Sequence, residues 1–157
     1  MWSVGLADGA RWADCLAVRR RVFIEEQRVP PELEVDGHDP DCWHWYGAVD
    51  DVIVATARAR VVEPGVAKVE RVAVLSSHRG RGLGHRLMRA VESDLARWGN
   101  REAVLAAQRT AEAFYAARGY VAEGEPFMDA GLEHVRMRKR LSTSVTEEDA
   151  RDPSKTG

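Results

Sequence analysis

The sequence predicts a single domain of the α/β class, in which strands and helices are mixed. Three β-type segments, Trp43–Val49, Val52–Val62 and Lys68–Leu75, are rich in β-branched and aromatic residues and are separated by turn residues. An amphipathic helix is predicted next, at Leu83–Trp98, because its apolar residues recur every three or four positions. The length of 157 residues is that of about one domain with a sizeable core.

Shorter elements are predicted on either side of these segments. They are a strand at Met1–Leu6, a helix from Asp8 or Gly9 to about Gln27 that ends before Pro30-Pro31, a strand at Ala103–Ala107, a helix at Thr110–Arg118, a strand that begins at Tyr120–Ala122 and a last strand at Val135–Leu141. We expect the domain to occupy residues 1–141. The tail 142–157 is small, polar and charged, and is predicted to be disordered.

The composition narrows the class of protein. Lys and Arg number 23 and Asp and Glu number 25, so the formal net charge is -2, which predicts neither a nucleic-acid partner nor an acidic membrane partner. Two cysteines do not form a disulfide framework. No segment has a signal-peptide pattern or approaches about 18 consecutive apolar residues. The sequence therefore predicts a cytoplasmic protein.

The segment "VAVLSSHRGRGLGHRL" places three glycines between a strand and the predicted helix. Gly80, Gly82 and Gly84 carry no side chains, and the first N–H groups of a helix are unpaired and attract anions. Arg79 and Arg81 add positive charge beside them. The turn is therefore a candidate phosphate site. A plain strand-to-helix turn with solvated arginines is equally compatible with this segment alone.

Two common nucleotide patterns do not fit this turn. A nucleotide P-loop needs GxxxxGK[ST], and no Lys-Ser or Lys-Thr follows the glycines. A dinucleotide fingerprint needs GxGxxG, but His85 or Leu87 stands where its third glycine belongs. A repeated Arg-Gly RNA-binding segment would not continue into an apolar helical face.

The same segment resembles the acyl-CoA-binding motif of the GNAT N-acyltransferase superfamily. That motif is Arg/Gln-x-x-Gly-x-Gly/Ala after a strand, and here Arg79-x-x-Gly82-x-Gly84 follows Val72–Val74. A second segment, "QRTAEAFYAARGY", is similar to a later family motif. Its Ala111, Tyr115, Gly119 and Tyr120 match, while Gln108 stands where Asn is commoner.

A third segment indicates one branch of this superfamily. The residues "RRRVFIEEQRVPPELEVDGHDPDCWHWYGA" resemble the N-terminal region of ElaA-like proteins. The three motifs together cover about residues 1–141. The resemblance implies a GNAT-type fold, with a mixed, mostly antiparallel sheet flanked by helices and a cleft between two splayed strands. It also implies transfer of an acetyl group from acetyl-CoA to a primary amine by direct attack in a ternary complex. The acceptor is a small molecule or a peptide, and a homodimer is compatible with the exposed edge strands.

The resemblance also implies where acyl-CoA would bind. The diphosphate is expected on the backbone amides of Gly80 to His85, and the pantetheine arm along the free edge of the strand at Val72–Val74. The N–H of Val72 or Val74 would stabilise the oxyanion, and Gln108 would hydrogen-bond the arm. The full expected set is Val72, Ala73, Val74, Arg79, Gly80, Arg81, Gly82, Leu83, Gly84, His85, Gln108 and Tyr115.

Tyr115 is the predicted general acid, because a phenol can donate a proton to the departing CoA thiolate. The alternative is a tyrosine whose ring only packs on the sheet. The sequence does not single out one residue as the general base. Glu70, on the central strand, and His44, beside the acidic segment, are both candidates. The alternatives are a sheet-surface carboxylate, a capping histidine, and bound water in place of a dedicated base.

The acceptor side is predicted from an acidic segment that precedes the sheet. Glu26, Glu34, Asp36 and His44 are its candidate substrate-binding residues, and they would favour a cationic amine. A solvated acidic loop fits equally well. "DGHDPDCWH" matches neither a zinc nor a calcium ligand pattern, so no metal is expected. Two other functions stay open: a non-catalytic acyl-CoA-binding domain and a nucleotide-binding module.

Overall fold

The computed structural model describes residues 1–142, and the predicted disordered tail lies outside the described residues apart from Ser142. The strands are β1 Trp2–Leu6, β2 Trp43–Val49, β3 Val52–Glu63, β4 Val66–Val74, β5 Glu102–Gln108, β6 Val121–Asp129 and β7 Leu132–Arg140. The helices are α1 Gly9–Arg19, which continues as π-helical turns over Arg20–Glu26, α2 Pro31–Glu34, α3 Leu83–Arg97 and α4 Glu112–Ala117. Short 3₁₀ turns lie at Asp39–Asp41, Ser76–His78 and Arg109–Ala111.

The seven strands of the described chain form one sheet in the order β1-β2-β3-β4-β5-β7-β6. Every neighbouring pair is antiparallel except β4 and β5, which run parallel. This confirms the predicted mixed, mostly antiparallel sheet flanked by helices. The exception is the β4–β5 pair at the centre of the sheet.

Strands β4 and β5 separate soon after they meet. Their pairing covers only Val66–Lys68 on β4, opposite Glu102–Val104 on β5. Beyond this point β4 contains a bulge: its register with β3 shifts between Thr56 and Arg58, and Arg71 has a φ of 56°. A bulge bends a strand and increases its twist, which accounts for the divergence of β4 from β5.

The core lies between the sheet and α3. Leu87, Met88, Val91 and Leu95 are fully buried on one face of this helix. They pack in one apolar cluster with Trp45 of β2 and with side chains of β3, β4, β5 and β7. The helix is therefore held rigidly, and its N-terminus is fixed beside the point where β4 and β5 diverge.

Most predicted elements are present, with shifted ends. The helix predicted as far as Gln27 loses its α-helical geometry after Arg19. The sequence predicted only that a helix ends before Pro30-Pro31. In the structure Pro31 also begins the short helix α2, because proline is favourable at the first helical position. The sequence did not predict β6 beyond its first residues, nor the β6–β7 hairpin at Ala130-Gly131. Ala130 and Gly131 both have positive φ there. None of the helices in residues 1–142 is long and apolar enough to cross a membrane.

Candidate active site

The divergence of β4 from β5 opens a long cleft of about 880 Å³. It runs from the N-terminus of α3, past the end of β4, to the end of β5. Its lining includes Val72, Ala73, Val74, Arg79, Gly80, Gly82, Leu83, Gly84, His85, Gln108 and Tyr115, together with Val22, Glu26 and Gln27. The structure thus brings together the predicted acyl-CoA residues, except that Arg81 does not line the cleft.

The N-terminus of α3 is built to accept an anion. Gly80 and Gly82 have φ values of 78° and 76°, a backbone conformation that favours glycine, and a Cβ atom at either residue would meet nothing within 4 Å. Gly82 caps the helix without a side-chain hydrogen bond, so the N–H groups of Leu83, Gly84 and His85 have no intrahelical partner. Gly84 serves packing instead, since a Cβ there would lie 3.2 Å from the Phe114 ring. The backbone donors and open space fit a diphosphate.

The end of β4 offers a polar edge to the long cleft. The Leu75 N–H donates to the Val54 carbonyl of β3 at 2.9 Å. Because backbone groups alternate along a strand, the N–H groups of Val74 and Val72 point away from β3, toward the cleft. The pairing with β5 ends at Lys68, so β5 does not use them. This edge can pair with an amide-containing chain.

Arg79 is tied down rather than free at the rim. Its Nε donates to the Val74 carbonyl at 2.9 Å, and its Nη2 donates to Glu26 Oε1 at 2.8 Å. The hydrogen bonds from Arg79 lower the pKa of the Glu26 carboxyl. Glu26, predicted to bind the acceptor, therefore lies at the long cleft as the partner of Arg79. Arg81 is exposed and forms no ion pair with any residue from 1 to 142, so its positive charge remains available.

A central cavity of about 200 Å³ lies beyond the inner end of the long cleft, and Tyr115 lines both. Tyr115 is 8% exposed, and burial raises the pKa of its phenol above the ordinary value. The phenol is therefore protonated at neutral pH. Within the described chain its hydroxyl forms no hydrogen bond, which leaves the proton available to a group in the cavity.

Glu70, one of the two candidate bases, also lines the central cavity, where a base would have to lie. Its Oε1 accepts from Arg60 Nε at 3.2 Å and from Arg58 Nη2 at 3.3 Å, and Lys68 Nζ lies 3.6 Å from Oε2. Burial alone would raise the pKa of Glu70, but Arg58, Lys68 and Arg60 together lower it. Glu70 is thus a stably ionised carboxylate and a weak proton acceptor.

The acidic segment does not present free carboxylates to the cleft. Glu34 is 3% exposed and pairs with the buried Arg19 at 2.7 Å. Asp36 pairs with the fully buried Arg58 at 2.6 Å. Burial alone would raise the pKa of Asp36, but hydrogen bonds from Arg58 outweigh it and hold the pKa well below its usual range. Of these two carboxylates only Glu34 lines a cavity, an outer one of about 90 Å³ beside the β6–β7 turn.

His44 lies away from these cavities. Its Nε2–H donates to the Asp39 carbonyl at 2.9 Å, and its ring packs against Trp12 with centroids 4.2 Å apart. Burial lowers the pKa of His44, which keeps the ring neutral. The structure thus gives this residue the capping role that was the alternative at the sequence level. It does not bring His44 to Glu70 or Tyr115.

Five residues that line both the central and the outer cavity were not predicted as site residues. They are Phe23, Gln27, Arg71, Asp129 and His134. Gln27 accepts a hydrogen bond from Gln108 Nε2 at 2.7 Å, so the predicted partner of the pantetheine arm has a protein partner here. Asp129 and His134 come from the β6–β7 hairpin. The Ala130-Gly131 turn is the local sequence signal that could have predicted this hairpin.

A metal centre has no support in the described chain. No group of three or more His, Cys, Asp or Glu side chains among residues 1–142 has a geometry that could hold a metal ion. Two carboxylates of the "DGHDPDCWH" segment, those of Asp36 and Asp39, are instead paired with arginines. Asp39 alone accepts from Arg19 and from Arg58, each at 2.8 Å.

Parallel strands that splay around a cleft, with a glycine-rich helix N-terminus at one end, define the acyl-CoA N-acyltransferase class of fold. The family model described as an acetyltransferase (GNAT) domain matches residues 14–141. A curated Bacillus subtilis relative, described as "Uncharacterized N-acetyltransferase YjcF", is 38% identical over 127 residues, which are 80% of this chain and 90% of the relative.

Solved structures agree with this match. Escherichia coli ElaA superposes with a TM-score of 0.78 at 26% identity, covering 89% of this chain and 99% of ElaA. An acyl-CoA N-acyltransferase from Pseudomonas aeruginosa superposes with a TM-score of 0.74 at 32% identity, covering 88% of this chain and 98% of that one. The chain belongs to the GNAT acetyltransferase family. It is an acyl-CoA-dependent acetyltransferase, as the sequence predicted.

Proposed function

We propose that this protein transfers an acetyl group from acetyl-CoA to the nitrogen of a primary amine, by direct attack in a ternary complex. The observation that carries the proposal is the unpaired edge of β4, which faces the long cleft between the α3 N-terminus and Tyr115. Such an edge, with an anion-binding helix N-terminus at one end and a phenol at the other, fits an acyl-CoA molecule along its length.

Acetyl-CoA acts here as the acyl donor, a substrate. The N–H groups from Gly80 to His85 would hold its diphosphate, with Arg81 adding charge nearby. The N–H groups of Val72 and Val74 would hold the pantetheine amides, and one of them would donate to the oxyanion that forms at the thioester carbonyl. These roles need the backbone alone. Conservative changes of Val72, Ala73 or Val74 should therefore affect catalysis little.

Tyr115 is proposed as the general acid. The departing group is a thiolate, which gains a proton as the carbon–sulfur bond breaks. Burial raises the pKa of the Tyr115 phenol, so the proton is present at neutral pH. The hydroxyl has no hydrogen-bond partner among residues 1–142, which leaves it free to donate.

Glu70 is proposed to position the acceptor rather than to deprotonate it. Its lowered pKa makes it a weak base, but its negative charge in the central cavity attracts an ammonium group. A cationic amine, on a small molecule or a peptide, therefore remains the favoured acceptor. The attraction now comes from Glu70 and from the exposed Asp129 rather than from Glu34 and Asp36.

Tyr115→Phe tests the proposal. We expect kcat with acetyl-CoA and a reactive amine to fall by about 10²-fold or more, since general acid catalysis contributes roughly 10² to 10⁴. The dissociation constant for acetyl-CoA should stay within about twofold. The matched control is Tyr46→Phe, because Tyr46 lies on β2 against Arg11, outside the cavities. Equal kcat in the two variants would remove the acid role from Tyr115.

The competing functions give different results. A non-catalytic acyl-CoA-binding domain would bind acetyl-CoA tightly and release no thiol with any amine in a broad panel. A nucleotide-binding module would be stabilised against heat by ATP or NAD and not by acetyl-CoA. Stabilisation by acetyl-CoA together with amine-dependent thiol release is the result we expect.

A further inference from the structure

The ring of His134 is oriented by a hydrogen bond to the backbone of its own strand. Its Nδ1 lies 2.8 Å from the carbonyl oxygen of Leu132. A carbonyl oxygen only accepts hydrogen bonds, so Nδ1 carries the proton. In the neutral ring Nε2 is then the unprotonated nitrogen, with a free lone pair. The backbone of β7 itself fixes this tautomer.

The ring that carries the free nitrogen lines the proposed reaction site. His134 is 8% exposed and lines both the central and the outer cavity. Its Nε2 has no hydrogen-bond partner among residues 1–142. This nitrogen is not one of the completely buried side-chain atoms in that part of the chain that lack a partner, so it keeps some accessible surface. The Phe127 ring stacks on the imidazole at 5.9 Å. The ring is therefore held in place while one nitrogen stays accessible.

Three groups with different chemistry meet in the central cavity. Tyr115 is a buried phenol, Glu70 a carboxylate bound by three cations, and His134 an imidazole whose Nε2 has no protein partner within residues 1–142. Only the imidazole offers a vacant nitrogen lone pair that can accept a proton. His44, the other histidine candidate, uses its Nε2–H on Asp39 and lies outside the cavity.

We propose that His134 is the general base that removes a proton from the acceptor amine. This inference rests on the proposed acetyl transfer. Nε2 takes one proton from the ammonium group, and the amine nitrogen then forms a bond to the thioester carbonyl carbon. The carbon–sulfur bond breaks, Tyr115 protonates the thiolate, and the second amine proton replaces the one that Tyr115 gave up. His134 returns its proton to solvent, so the products are an amide, a free thiol and one proton.

Charged groups from several elements surround His134. From β4, Lys68, Glu70 and Arg71 line the same central cavity; Tyr115 comes from α4 and Asp129 from β6, while Glu34 of α2 lines the outer cavity. Arg136 lies two residues along on the same face of β7. Arg71 is occupied by Glu34 and Asp36, and Glu70 by its three cations. Asp129 forms no ion pair within residues 1–142 and is the carboxylate best able to receive the incoming ammonium.

The test is the pH dependence of kcat/KM for the wild type and His134→Asn. The Asn side chain can keep the donor to the Leu132 carbonyl but has no proton acceptor at the Nε2 position. We expect kcat/KM at neutral pH to fall by about 10² to 10⁴-fold. The fall should narrow as pH rises, because the amine then loses its proton to solvent. The acidic limb of the wild-type profile should be replaced in the variant by a limb that follows the pKa of the amine.

Two amines of different pKa separate the base from the substrate. A limb that belongs to His134 stays at one pH with both amines, whereas a limb that belongs to the amine moves with it. His38→Gln is the control histidine variant, since His38 lies in the loop before β2, outside the cavities. Added imidazole should restore part of the activity of a His134→Ala variant.

Three outcomes would overturn the inference. They are an unchanged acidic limb in His134→Asn, a limb lost in His44→Gln or Glu70→Gln instead, and loss of activity that tracks a fall in melting temperature or in acetyl-CoA affinity. A wild-type protein that transfers no acetyl group to any amine would instead refute the proposed function itself. The two failures are therefore distinguishable.

Discussion

The two halves of the proposed active site, one for the acyl donor and one for the acceptor, are built in different ways. The donor half, from Val72 to His85, is nearly continuous in the chain and presents backbone N–H groups. The acceptor half collects side chains from the end of the α1 segment, α2, β4, β5 and the β6–β7 hairpin, and arginine–carboxylate pairs hold part of it together. The donor half is therefore rigid and tolerant of side-chain changes, whereas the acceptor half depends on individual charged residues.

The largest expected effect comes from breaking the charge network of the acceptor half. Arg58 is fully buried and pairs with Asp36, Asp39 and Glu70. Arg58→Met would leave three carboxylates without this partner, and removal of one member of a buried ion pair costs about 3–5 kcal/mol. We expect the free energy of unfolding, measured with urea, to fall by about that amount.

The control for Arg58 is Arg89→Met, on the exposed face of α3, which should change stability by less than about 0.5 kcal/mol. An acid titration adds a second readout. The pKa of Asp36 is lowered in the folded protein, so its stabilising contribution is present above about pH 4 and is lost as the pH falls. The wild type should lose stability below about pH 4, and Arg58→Met should lose less. Similar slopes for both proteins would contradict the role of Arg58.

This difference between the halves also explains what the sequence could predict. A glycine turn before an amphipathic helix is a local pattern, so Gly80, Gly82 and the strand before them were found without the fold. The pairing of Arg58 with Asp36 joins residues 22 positions apart. His134 reaches the cavity only because β7 pairs with β5 in the register that sets it opposite Gln108. Long-range register and the Arg71 bulge do not appear in local patterns, which is why most residues proposed here for the acceptor half were not predicted.

An intermediate effect is expected in the donor half, at Gly82. Gly82→Ala places a methyl group in open space at the α3 N-terminus, and its φ of 76° strains any residue with a Cβ. Stability should fall by about 1–2 kcal/mol from the backbone alone. Acetyl-CoA affinity should fall further, by about tenfold or more, because the methyl group occupies space that the diphosphate needs.

Gly99→Ala is the matched control for Gly82→Ala. Gly99 follows the other end of α3, has a φ of 91°, and would also place its methyl group in open space. It should show a similar loss of stability and an unchanged dissociation constant for acetyl-CoA, measured by calorimetry. If both variants lose affinity equally, the effect of Gly82 is a general loss of folding and the donor half is not a backbone site.

The smallest effect tests where the two halves meet, at the Arg79–Glu26 pair. Both side chains are about two-fifths exposed, and exposed ion pairs contribute about 0.2–1 kcal/mol. Glu26→Gln should therefore change stability little. It should also strengthen acetyl-CoA binding by about two- to fivefold at low salt, because it removes a negative charge from the cleft and frees Arg79 for phosphate.

Salt separates this electrostatic effect from a structural one. The gain in affinity should shrink as ionic strength rises, since an exposed charge is screened. Glu123→Gln is the control, because Glu123 pairs with Arg138 at similar exposure on the distant edge strand β6. Weaker binding in Glu26→Gln would mean that the pair holds Arg79, and through it the Val74 carbonyl, in the geometry that the donor requires. Glu26 would then be a positioning residue of the donor half.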